Sequence, residues 1–147
     1  MPIDIIEKNV IKKLVDSECI VIAGGGGGIP VIKNDDGYCG VEAVIDKDFA
    51  SEKIAEILNA DKLVILTAVD KVMINYGKVN QESLDTLSFK EAEQYITENQ
   101  FAAGSMLPKV QAALKFIENK SKKEAIIANL ENAQAAIESE TGTKFIN

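Results

Sequence analysis

Apolar residues recur at helical spacing from the start of the chain, at Ile3, Ile6, Val10 and Leu14, with Glu7, Lys8, Lys12 and Lys13 between them. That period predicts a surface helix over residues 3–16, packed on a sheet. Residues 19–23 then form a short apolar run that opens into five consecutive glycines, Gly24, Gly25, Gly26, Gly27 and Gly28. A buried strand running into a loop is expected. Ile29 to Ile32 lead into Asn34-Asp35-Asp36-Gly37, a strong turn signal, and Tyr38 to Ile45 offer a return strand. The pair reads as a hairpin or edge excursion.

Further along, Ala50, Ile54, Ile57 and Leu58 share one face of a second helix, expected over residues 49–59. Residues 63–66, Leu-Val-Ile-Leu, read as a strand buried on both faces. Ser88 with Glu91 three residues later is a capping box, opening a helix to about Thr97. Gly104 and Ser105 precede another helix, with Pro108 in its first turn and Val110, Leu114 and Ile117 inward. Residues 125–128 make one more buried strand, 131–138 a short helix and 143–146 a last strand. Short buried strands alternating with helices predict an α/β fold: a three-layer sandwich with a mostly parallel sheet flanked by helices. No linker or repeat interrupts residues 1–147, so one domain is expected.

Composition narrows the chemistry. The chain has 147 residues, 46% of them hydrophobic, and lacks Trp. Ile, Val, Leu and Ala must therefore fill its core. The net charge is −7, from 23 acidic and 16 basic residues. That balance disfavours a nucleic-acid groove, which needs a dense basic stripe. No apolar run is long enough for a membrane span. The absence of histidine removes imidazole acid–base catalysis and the commonest metal ligand. Cys19 and Cys39 fit no zinc spacing; Cys19 reads as a buried strand thiol in a reducing, cytoplasmic setting. The first residues show no basic start or long apolar run of a signal peptide.

Four places carry candidate chemistry. The glycines at 24–28 can bring backbone N–H groups close to a phosphate, or simply make a tight loop; they lack both the Walker and the dinucleotide settings. Asp46-Lys47-Asp48 stands before a helix, either as a solvated cap with Asp48 near the N-cap or as a lysine aimed at a phosphate. Residues 104–109 join a turn, a helix N-terminus and Lys109, which suits an anion or an ordinary helix start. Residues 66–70 end a buried strand, where open α/β sheets bind ligands, and Tyr76 beyond them offers an aromatic face.

In combination these segments resemble the carbamate kinases of the amino-acid-kinase family. The likeness is carried by residues 22–31, 40–50, 66–72, 75–78, 101–110 and 140–143, in order and in register. Val79 and Ala103 stand where the family commonly has proline, but no proposed charge is lost. The resemblance implies the C-terminal, nucleotide-binding lobe of that fold, without the N-terminal half found in family members. It implies phosphoryl transfer between ATP and carbamate with Mg2+, running toward ATP from carbamoyl phosphate and ADP in arginine breakdown. By resemblance, Lys47 and Lys109 face the transferring phosphoryl group and Asp48 organises them. Thr67, Ala68, Val69, Asp70, Tyr76, Gly104 and Met106 match the nucleotide-binding region, and Gly24 to Gly28 lie near the reacting centre. Two lysines, helix N-termini and a metal supply what phosphoryl transfer needs: alignment and positive charge.

Two other readings stand beside this one. The first is a non-catalytic nucleotide-binding or assembly module that self-associates into a homo-oligomer through uncovered apolar surface. The second is an amino-acid kinase acting on another substrate, such as glutamate, aspartate or uridylate.

Overall fold

A computed structural model describes residues 1–118 and 123–147. The residues gather into two compact units, Met1–Asn59 and Ala60–Asn147, with no Pro-, Gly- or Ser-rich stretch at their junction.

The first unit contains α1 (Lys8–Asp16), β1 (Val31–Asn34), β2 (Gly37–Gly40) and α2 (Lys47–Ile57). Strands β1 and β2 form the expected antiparallel hairpin, with Asn34 opposite Gly37. The Asn34 side chain accepts the Asp36 N–H at 3.2 Å, which closes the turn. The return strand stops at Gly40 rather than at Ile45, because β1 offers four residues to pair with. Helix α2 starts two residues earlier than expected. Its N-cap is Asp46, whose carboxylate accepts the Asp48 N–H at 2.8 Å. Asp48 thus lies inside the first turn rather than at the cap.

Two expectations fail in this unit. Helix α1 packs against α2, and it buries Ile11 while Ile3, Ile6, Val10 and Leu14 stay exposed. The unit's only strands are those of the small hairpin, so its described residues hold no sheet for that stripe to cover. Residues 19–23 form no strand either, and Ile20 and Ile22 are 100% and 98% exposed. A strand needs a partner strand for its backbone N–H and C=O groups, and among the described residues no strand pairs with this segment; its one such bond runs from the Cys19 N–H back to the Leu14 carbonyl at 3.0 Å. Cys19 is accordingly exposed rather than buried.

The second unit runs β3 (Lys62–Thr67), β4 (Met73–Ile74), β5 (Glu82–Ser83), β6 (Thr86–Ser88), α3 (Phe89–Thr97), α4 (Met106–Ile117), β7 (Glu124–Asn129), a 3-10 turn (Leu130–Asn132), α5 (Ala133–Ile137) and β8 (Thr143–Ile146). The sheet order is β3-β7-β8-β6. β3–β7 and β6–β8 are parallel, while β7–β8 is antiparallel, so the sheet is mixed. Strand β7 is buried along both faces, from Ala125 to Ala128. On one face Ile126 and Ala128 pack with Ala136 of α5 and with Val64 and Leu66 of β3. Strand alternation turns Ala125, Ile127, Leu63 and Ile65 to the other face, and α4 packs on β7, β3 and β8. Helices thus flank the sheet on two sides, as an α/β sandwich requires.

The capping box is present: Ser88 Oγ accepts the Glu91 N–H, and the Glu91 carboxylate accepts the Ser88 N–H. The first strands of the sheet are tied together by charge. Glu124 accepts from Lys144 at 2.8 Å, from Lys62 at 3.1 Å and from Ser139 Oγ at 2.9 Å. Burial pushes the Glu124 carboxyl up, but the hydrogen bonds from Lys144, Ser139 and Lys62 outweigh it and hold its pKa down at about 2.

Candidate functional site

Strand β3 is apolar because both of its faces are covered, and its chain emerges at Thr67 into a loop beyond the sheet edge. In open α/β sheets this is where ligands bind. A cavity of about 200 Å³ opens there. One wall comes from the chain after β3: Thr67, Val69, Lys71, Met73 and Tyr76. The other comes from the connection between α3 and α4: Gln100, Phe101, Ala102, Ser105 and Met106. The lining is mainly apolar, with Tyr76 as an aromatic face and Lys71, Thr67, Gln100 and Ser105 as polar groups.

Specific contacts fix both walls. The Ala102 carbonyl accepts the N–H groups of Ser105, Met106 and Leu107, which sets the start of α4. Phe101 is buried and lies edge-on to Tyr95, with centroids 6.4 Å apart. Across the cavity, Val72 is fully buried and its N–H donates to Thr143 Oγ1 at 2.8 Å. Thr143 Oγ1 in turn donates to the Leu84 carbonyl at 2.5 Å. The preceding Gly142 has φ +94, and a Cβ there would come within 2.7 Å of the Ile127 carbonyl. The 140–143 motif therefore serves the cavity wall structurally.

Of the expected nucleotide-binding residues, Thr67, Val69, Tyr76 and Met106 line this cavity; Ala68, Asp70 and Gly104 do not. Asp70 accepts from Asn129 Nδ2 at 2.9 Å, which joins the ends of β3 and β7. Lys109 stands one turn into α4 and is only 8% exposed. Ser105 lies within the 104–109 anion candidate, whereas Lys71, Met73, Gln100, Phe101 and Ala102 were not singled out from the sequence as ligand-binding residues. Lys71 and Phe101 fall within the segments that carry the resemblance, whereas no spacing marks Gln100, whose partner is 25 residues away.

In the first unit, the glycine loop and the start of α2 come together. The Gly27 N–H donates to the Gly24 carbonyl at 2.8 Å. Gly27 is buried at φ +130, and a Cβ there would lie 1.8 Å from the Ile45 carbonyl oxygen. Only glycine lets this loop lie flush on the backbone leading into Asp46. Lys47 follows with its side chain 57% exposed and its ammonium 3.7 Å from the buried Asp48 carboxylate. A glycine loop, a helix N-terminus and a lysine thus share one region, an arrangement suited to phosphate oxygens.

Comparison with known proteins bears on this geometry. A sequence model of the amino acid kinase family matches residues 1–129. The carbamate kinase of Clostridium perfringens is 58% identical over 145 residues, covering 99% of this chain and 46% of that protein. A carbamate kinase-like protein of Escherichia coli is 54% identical, covering 97% of this chain and 46% of its own length. Among solved structures, the carbamate kinase from Giardia lamblia bound to AMP-PNP superposes with a TM-score of 0.94 at 41% identity. That match covers 99% of this chain and 51% of the Giardia chain. The chain therefore spans about half the length of the relatives it matches.

Proposed function

Because the chain belongs to the amino acid kinase family, we propose that it is the nucleotide-binding, C-terminal half of a carbamate kinase. In this reading the base of ATP or ADP enters the cavity beyond β3. The observation that carries the proposal is the meeting of Thr67, Val69, Tyr76 and Met106 around one apolar cavity, in a chain that carbamate kinases match over 97–99% of its length. At about 200 Å³ the cavity falls below the roughly 300–1,000 Å³ usual for a whole ligand. It suits a flat aromatic base with the phosphates directed outward. Tyr76 supplies the stacking face, and Val69, Met73 and Met106 supply apolar contact.

The lysines are assigned by resemblance. Lys47 and Lys109 bring positive charge to the transferred phosphoryl group, and Asp48 holds Lys47 in place. Charge of this kind lowers the barrier by stabilising the equatorial oxygens, without covalent help from the protein. Among the described residues no three carboxylate or thiol side chains gather to hold a metal. Magnesium in such sites is carried largely on the phosphates, which with water and at most one or two carboxylates supply its oxygens. When bound it neutralises charge on those phosphates. Carbamate, or carbamoyl phosphate in reverse, belongs to the complete enzyme, so the 147-residue chain alone should turn over little.

Calorimetric titration with ADP and magnesium tests the proposal. Saturable binding is expected. Tyr76 is well exposed, so Tyr76→Ala should weaken ADP by roughly tenfold, about 1.4 kcal/mol and in the lower part of the range that stacking contributes. Lys109→Ala should also weaken ADP binding, because this reading places that lysine on the phosphates. A folded chain that does not bind ADP overturns the reading. The near-complete exposure of Ile20 and Ile22 favours a second reading, an assembly module that self-associates. A large particle in light scattering with no ADP binding would support it.

A further inference from the structure

The two walls of the cavity beyond β3 come from stretches far apart in the chain, and one side chain joins them. Gln100 Oε1 accepts the Asn75 N–H at 2.9 Å, a partly buried hydrogen bond spanning 25 residues. Asn75 sits at φ +51 and begins a tight turn, in which its carbonyl accepts the Lys78 N–H at 3.0 Å. Tyr76 is inside that turn. Gln100 itself is firmly placed. Its N–H donates to the Tyr95 carbonyl at 2.9 Å, just after Asn99 ends α3 in the left-handed region at φ +55. Phe101 beside it is buried against Tyr95. A rigid anchor on the α3–α4 side therefore grips the backbone one residue before the only aromatic ring on the β3 side.

We propose that Gln100 is a positioning residue for nucleotide recognition: it holds the Asn75–Lys78 turn so that the Tyr76 ring faces the base in the cavity. This inference rests on the reading of the cavity as a nucleotide site. An exposed turn with two residues at positive φ, Asn75 and Gly77, depends on side-chain bonds to hold it. Gln81 Oε1 accepts the Gly77 N–H at 2.8 Å from within the same loop, and Gln100 alone ties the turn to the opposite wall among the described residues. Stacking gains from a ring that is already placed, because less freedom is lost on binding.

The test uses the full chain, with Gln100→Leu and Gln100→Glu measured by ADP titration in the presence of magnesium and by amide hydrogen exchange over residues 73–78. Gln100→Leu removes the acceptor at similar volume. It should speed exchange in the turn and weaken ADP roughly fivefold, the worth of one such bond. Gln100→Glu keeps an acceptor at the same reach and should restore both. In a Tyr76→Ala background Gln100→Leu should change ADP affinity little, because the ring it positions is gone. Circular dichroism confirms that each variant is folded. Unchanged exchange and affinity in Gln100→Leu, or an additive effect with Tyr76→Ala, overturns the inference alone. A parent chain that does not bind ADP overturns the nucleotide reading and this inference with it.

Discussion

Replacing Glu124 with glutamine removes the anion that joins Lys62 of β3, Lys144 of β8 and Ser139 after α5. The magnitude follows from linkage. The Glu124 pKa falls from 4.5 to about 2 on folding, which at about 1.4 kcal/mol per unit is about 3 kcal/mol in favour of the ionised, folded form. A quarter of the side chain remains exposed, so solvent screening reduces this to about 1–2 kcal/mol. The folded pKa lies below the unfolded one. The contribution is therefore complete above pH 4.5 and is lost as pH falls toward 2. By about pH 3 less than half of it should remain. Urea unfolding of the parent and of Glu124→Gln at several pH values measures the gap directly. The variant should be less stable by about 1–2 kcal/mol at neutral pH, and the gap should narrow steadily with acid. A gap that stays constant between neutral pH and about pH 3, or no gap at neutral pH, would refute the reasoning.

Two further substitutions probe the framework of each candidate region. Gly27→Ala forces a Cβ to within 1.8 Å of the Ile45 carbonyl at φ +130, so it should destabilise the first unit by about 2 kcal/mol or more. Gly26→Ala, where φ is ordinary and nothing lies within 4 Å, should be tolerated; thermal unfolding of the pair separates steric need from mere flexibility. Thr143→Val keeps the shape but leaves the buried Val72 N–H without its acceptor, a loss of about 1–3 kcal/mol in urea unfolding. It should also weaken ADP binding, because Val72 lies between the cavity residues Lys71 and Met73.

The second unit was largely legible because its signals are local or compositional. The runs at 63–66 and 125–128 are apolar on every position, which only a strand covered on both faces tolerates, and both became neighbours in the sheet. The Ser88–Glu91 pair announced the start of α3 by chemistry confined to four residues. By contrast, β4, β5 and β6 are two or three residues long. Pairing with distant segments creates them, and no period of two can show in so short a stretch. In the first unit the same rules misled. The stripe on α1 and the run at 19–23 both carry apolar residues that call for a covering surface, and the described residues supply none. Pattern reports which positions favour burial, not whether a partner is there to bury them.

The candidate residues show the same division. Thr67 and Val69 draw attention in the sequence because they follow a buried strand, where open α/β sheets bind ligands, whereas Met106 is marked as a nucleotide-binding residue only by the family resemblance and Tyr76 by its aromatic ring and that resemblance. Gln100 could not be marked, since it follows α3, and both its place in the cavity wall and its hydrogen bond to a turn on the other wall arise only in the folded chain. The glycine tract lies between these cases. Five glycines in a row signal close approach but not its object; the object proves to be the chain's own Ile45 carbonyl. Gly27 is thus required by packing before any phosphate is considered, and the same packing delivers the loop to the start of α2, beside Lys47. A structural demand and a proposed binding geometry coincide at one residue, so loss of phosphate affinity in a Gly27 variant would not by itself identify a ligand contact. Gly26, where an added Cβ would meet nothing within 4 Å, is the glycine at which a change in binding without a change in stability would speak for an anion.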